Sequence, residues 1–123
     1  MHYTDAEVSA TALPGADANL YPGEIRKCDM ARLYRFSNTL YKLRMTGAQL
    51  KRFMEWTADF YDTLGPGEAT VSLNEHFSAY NLYIFEGICY EVNLSREPGS
   101  RIERLTWPAG NEFKPRNDSV MAA

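Results

Sequence analysis

The stretch LYKLRMTGAQL at 40–50 changes from a period of two to a helical period within a few residues. Tyr41, Leu43 and Met45 fall on one side of an extended chain and Lys42 and Arg44 on the other, the pattern of a half-buried strand. Thr46 followed three residues later by Gln49 makes a capping box, which predicts a helix start. Beyond it, Leu50, Phe53, Met54, Thr57, Tyr61 and Leu64 share one helical face, and Gly65-Pro66-Gly67 stops the run. A strand feeding directly into an apolar-striped helix needs a second layer to cover that stripe, so helix must pack on sheet.

The flanking segments fill in the architecture. Thr4 and Glu7 have capping-box spacing and predict a short helix over 4–12, while Pro14, Gly15, Pro22 and Gly23 predict loop over 13–28. Asp29 predicts a capped helical turn in which Met30, Leu33 and Tyr34 share a face. A second strand is expected over 85–94, with Ile88, Tyr90, Val92 and Leu94 on one side and Cys89, Glu91 and Asn93 on the other. Glu97-Pro98-Gly99-Ser100 then turns the chain into a return strand over 101–107, completing a hairpin. Residues 68–83 carry no clear period. The expected class is α+β, with a mixed or antiparallel sheet and helices packed against it, in one domain spanning 1–123.

Charge and composition narrow the function. With 45% apolar and 24% charged residues the chain has the make-up of a folded globular domain. A net charge of −3 and no basic cluster longer than Arg26-Lys27 or Lys51-Arg52 disfavour nucleic acid as a partner. No apolar run approaches the roughly 20 residues of a membrane span, and the N-terminal MHYTDAEVSA lacks the pattern of a signal peptide. Cys28 and Cys89 have no CxxC or Cys/His spacing, and His2 and His76 have no ligand-like neighbours, so neither a disulfide framework nor a metal site is expected. Nucleophile elbows and phosphate-cradling glycine loops are missing from the sequence. Glu55 and Asp59 could pair as carboxylates, but at that spacing they are expected on a solvated helix face.

The aromatic content, 13%, is more telling, because Phe36 and Tyr80 stand beside turns rather than inside periodic elements. Rings in such places either plug a core where loops cross it or offer a face for stacking on a flat heterocycle. Asn38 and Asn81, each taken alone, are read first as turn residues that bond their own backbone, and second as amide hydrogen-bonders to a ligand edge. The residues alone favour the structural role, since aromatic rings in cores outnumber those in ligand sites.

Three stretches, "NLYPGEIRKCDMARLYRFSNTLYKLRMTGAQLKRFMEWTADFY", "YNLYIFEGICYEVNLS" and "PGSRIERL", follow one another in the order found in a known family. Across nearly its whole length the chain resembles the C-terminal domain of the 5'-nucleotidases, particularly the branch with 2',3'-cyclic-nucleotide 2'-phosphodiesterase and 3'-nucleotidase activity. The resemblance implies a partner domain on the N-terminal side, a metallophosphoesterase with two divalent metal ions that hydrolyses the phosphate ester. It implies that the present chain recognises the nucleoside or nucleotide and is inactive by itself. Phe36 falls where the family carries a ring that stacks on the base, just ahead of the Asn matched by Asn38, and Tyr80 and Asn81 are expected to help shape the same corner.

The tail FKPRNDSVMAA resembles the run-up to an Asn-Asn-Tyr-Arg-like segment that supplies the other half of the family's aromatic clamp, so the chain is expected to be a fragment. It departs from the family at Asp5-Ala6-Glu7, where Gly-Ala-Asp is common, and at Tyr83, where Asp is common. The longer protein is expected to be periplasmic, secreted or bound to the cell wall. The competing expectation is a free-standing structural or interaction module without ligand.

Overall fold

A computed structural model describes residues 4–13, 19–34 and 37–108, together with the backbone of 120–122. Strand β1 (Val8–Ala12) comes first, then helix α1 (Lys27–Leu33), strand β2 (Lys42–Arg44) and helix α2 (Gly47–Ala58). A single 3-10 turn (Ala79–Asn81) leads into β3 (Tyr83–Glu86), β4 (Cys89–Val92), β5 (Ile102–Thr106) and β6 (Val120–Ala122). The architecture is α+β, as the sequence predicts, but the strands divide into two sheets. Four form a mixed sheet in the order β2-β6-β1-β3, and β4 and β5 pair as a separate antiparallel hairpin. Within the larger sheet β1 runs antiparallel to β3, with Ala10 opposite Phe85 and Ala12 opposite Tyr83, and parallel to β6.

The helix expected over 4–12 is a strand. Asp5 has a φ of +52°, a left-handed conformation that no α-helix tolerates at its first turn. Val8 and Ala10 are buried while Thr11 is exposed, so a period of two is present in VSATA. Pairing to β3 on one side and β6 on the other supplies non-local hydrogen bonds that override the weak local capping signal.

Around α2 the prediction holds in detail at the start and fails at the end. Thr46 Oγ1 accepts from Gln49 N–H at 3.2 Å and Gln49 Oε1 accepts from Thr46 N–H at 2.8 Å, closing the capping box. Leu50, Met54 and Thr57 are buried, and the core joins Leu50 and Met54 to Val8, Ala10, Ala58, Phe85, Ile88 and Ile102. The helix stops at Ala58 rather than reaching Leu64: Phe60 and Tyr61 N–H groups bond back to Thr57 and Ala58 carbonyls, tightening the last turn, and Tyr61 then bridges to Leu73.

Glu55 is not on a solvated face. It is 6% exposed, and its carboxylate accepts from Lys51 Nζ at 2.7 Å, Arg101 N–H at 2.8 Å and Ile102 N–H at 3.0 Å. Facing the other end of the helix, the Arg101 side chain is 1% exposed. Its Nη1 donates to Ala58 and Tyr61 carbonyls at 2.8 and 2.7 Å, Nη2 to Thr63 Oγ1 at 2.9 Å and Nε to Arg96 O at 3.1 Å. The cation thereby adds a hydrogen bond to the Ala58 carbonyl that ends α2, at the negative end of the helix dipole.

Three further expectations change. The strand expected over 85–94 is broken at Gly87, whose φ of +93° turns the chain between β3 and β4. The β2 segment is an edge strand with all three residues exposed, and only Met45 of its apolar face packs against the core. Helix α1 buries none of its residues; Asp29 stands at its third position rather than capping it and accepts from Arg26 N–H at 2.9 Å.

Candidate functional site

A cleft of about 810 Å³ opens where β1 ends. Its floor is Ala10, Thr11 and Ala12, small side chains that leave room above the strand. Residues 37–41, the approach to β2, line one part, and Tyr34 closes on the same part from the end of α1. Tyr83, the first residue of β3, lines another. Since β1 lies between β3 on one side and β6 and β2 on the other, the two walls stand across the floor from each other.

Asn38 is therefore in the cleft, exposed, with Ser37 and Thr39 beside it. Phe36 lies outside the described residues. Tyr80 is exposed on the 3-10 turn and is absent from the lining among the described residues. Asn81 is half-buried and is also absent from it; its carbonyl accepts from Thr57 Oγ1 at 2.8 Å. The same hydroxyl accepts from Tyr83 N–H at 2.7 Å, so a buried side chain of α2 fixes the entry to β3.

Sequence reasoning missed Tyr83 as a wall residue. The signal was present, since Tyr83 alternates with Phe85 and shares its face, but the periodless 68–83 region hid where the strand begins. Thr57→Val keeps the shape of α2 and leaves the Asn81 carbonyl and Tyr83 N–H unpaired, so the variant is expected to lose about 1–3 kcal/mol of stability. Thermal denaturation with amide exchange at Tyr83 checks this: unchanged protection of that amide would count against the bridge.

The cleft offers phenol rings, hydroxyls and one carboxamide, a set suited to a flat polar ligand by stacking and edge hydrogen bonds. Among the described residues no group of three or more His, Cys, Asp or Glu is arranged to hold a metal ion, and no helix is long and apolar enough to cross a membrane.

The sequence profile of the 5'-nucleotidase C-terminal domain matches residues 1–118, and the chain belongs to that family. Among curated relatives, the trifunctional nucleotide phosphoesterase YfkN of Bacillus subtilis is 28% identical over 80 residues, which cover 63% of this chain and 6% of YfkN. The 2',3'-cyclic-nucleotide 2'-phosphodiesterase/3'-nucleotidase of Haemophilus influenzae is 32% identical over 77 residues, covering 60% of this chain and 12% of that protein. The Yersinia enterocolitica protein of the same name is 26% identical over 86 residues, covering 68% of this chain and 13% of its own length. The chain thus spans a small fraction of the relatives it matches. In fold it is similar to a Staphylococcus aureus protein described as a 5'-nucleotidase and crystallised with alpha-ketoglutarate, with a TM-score of 0.82 and 23% identity over 98% of this chain and 24% of that one.

Proposed function

We propose that this chain is the nucleoside- or nucleotide-recognition domain of a longer metal-dependent nucleotidase or cyclic-nucleotide phosphodiesterase, and that it contributes specificity rather than hydrolysis. The family match over 1–118 carries this reading. The cleft beside Asn38 supports it, since it is open, floored by small residues and walled by rings. The division of labour fits the donor poverty of the described residues, which leaves the two divalent metal ions and the water they activate to an N-terminal metallophosphoesterase domain of the same protein. Phe36 is assigned the stacking role because it falls where the family carries a base-stacking ring, just ahead of Asn38, and Tyr80 and Asn81 are assigned to shape the same corner.

The purified chain is expected to leave 3'-AMP and 2',3'-cyclic AMP intact in the presence of Mg²⁺ or Mn²⁺, while adenosine shifts the amide resonances of 37–41. Turnover by the chain, or unmoved resonances at saturating adenosine, would refute the proposal.

A further inference from the structure

We propose that the gap between the two sheets is a second binding site, a small apolar crevice that takes a single hydrocarbon ring of benzene size. The gap originates at Gly87. A φ of +93° there sends β4 away from β3 and into the hairpin with β5, so two consecutive strands part instead of pairing. Behind them α2 closes the gap with Met54 and Ala58, which meet Phe85 of β3 and Ile102 of β5. None of these four is more than 5% exposed, so the inner wall is the core itself. Val92 of β4 also lines the crevice and is 39% exposed, which puts it where the crevice opens to solvent. The crevice is separate from the cleft beside Asn38: among the described residues only Tyr83 lines both.

The space measures about 180 Å³. An apolar cavity of about 150 Å³ stays dry and accepts benzene or xenon, because a water molecule inside it would lack polar partners. The same poverty holds here. No charged residue is among the described lining. Thr57 is buried, and its hydroxyl is committed twice, donating to the Asn81 carbonyl at 2.8 Å and accepting from Tyr83 N–H at 2.7 Å. Tyr61 and Tyr90 are half-buried, and a tyrosine in that position turns its apolar body inward and its hydroxyl toward water. Size excludes a docked helix, whose diameter is about 10–12 Å. Chemistry excludes a polar ring, which would give up its hydration for nothing.

The experiment titrates benzene into the 123-residue chain and follows the amide resonances of Met54, Ala58, Phe85 and Ile102. Saturable shifts are expected at these four, with 37–41 unmoved. Pyrazine has the outline of benzene but carries two ring nitrogens whose hydration the lining does not replace, and is expected to give no saturable shift. Val92→Trp places an indole in the opening and is expected to abolish the benzene shifts, with its thermal midpoint as the folding control. Val92→Ala leaves the opening clear and is expected to keep them. Ile25→Ala, which removes an exposed apolar side chain outside the crevice, is expected to keep them too. Shifts that climb without saturating in the parent, or that persist in folded Val92→Trp, would overturn the site. Saturable binding of pyrazine equal to that of benzene would overturn its apolar selectivity. None of these outcomes touches the adenosine response at 37–41, so the crevice and the recognition cleft fail independently.

Discussion

Replacing Arg101 by alanine is expected to lower the unfolding free energy by about 3–5 kcal/mol, because several groups lose a hydrogen-bond partner at once. The Ala58 and Tyr61 carbonyls, the Arg96 carbonyl and the Thr63 hydroxyl all receive hydrogen bonds from this one guanidinium. In a domain with a typical total of roughly 5–15 kcal/mol, such a loss moves the urea midpoint far enough to be unmistakable. Arg101→Lys keeps the charge but offers three donors on a compact head instead of a planar fork, so it should recover less than half of the deficit. A change below about 1 kcal/mol in Arg101→Ala would show that water replaces the guanidinium at the end of α2 without difficulty.

The second large effect belongs to Glu55. Glu55→Ala strands the N–H groups of Arg101 and Ile102, both on buried residues, and is expected to cost about 2–4 kcal/mol; Glu55→Gln, which retains one acceptor oxygen, should fall between it and the parent. The pH dependence has a definite sign. Burial pushes the Glu55 carboxyl upward, but the hydrogen bond from Lys51, those from the Arg101 and Ile102 N–H groups and the Lys51 charge outweigh it, so it sits below the 4.5 of an unperturbed glutamate. Its contribution is therefore complete above 4.5 and disappears as pH falls through the lower value of the folded state. Urea titrations across the acid range should show that loss in the parent and not in Glu55→Gln. An identical acid slope in the two proteins would remove Glu55 as its source. Because Glu55 holds the backbone on which Arg101 hangs, the double variant should be less destabilised than the two single effects predict together.

Much of this was legible in the sequence where the signal was local. Thr46 and Gln49 announced α2 because a capping box is satisfied within four residues, and the Pro-Gly turn at 98–99 announced the β4–β5 hairpin. The misreadings fall where distant partners decide. Thr4 and Glu7 mimic a helix start, but the partners of Val8–Ala12 are 70 and more residues away along the chain, as in the pairing of Ser9 with Glu86. Nothing adjacent to Glu55 forecasts that the chain will return at 101–102 to present two N–H groups to it. Gly87 was a local clue that could have split 85–94, since a glycine inside an alternating run often marks a bend. Of the candidate site, Asn38 lies in the cleft, Tyr80 and Asn81 lie on the turn leading to it, and Phe36 falls outside the described residues. The place of Tyr83 in the cleft lining had a local clue in its alternation with Phe85, but the entry to β3 is fixed by Thr57, in another element, which the periodless 68–83 region does not announce.

The placement of β6 between β2 and β1 has a consequence for biosynthesis. Val120–Ala122 must pair with Leu43 and Arg44 on one flank and Val8 and Ser9 on the other, so a nascent polypeptide carries two unzipped edges until residues 120–122 clear the ribosome. Translation that stalls before codon 120 would release a species with both edges bare and ready to join those of its neighbours.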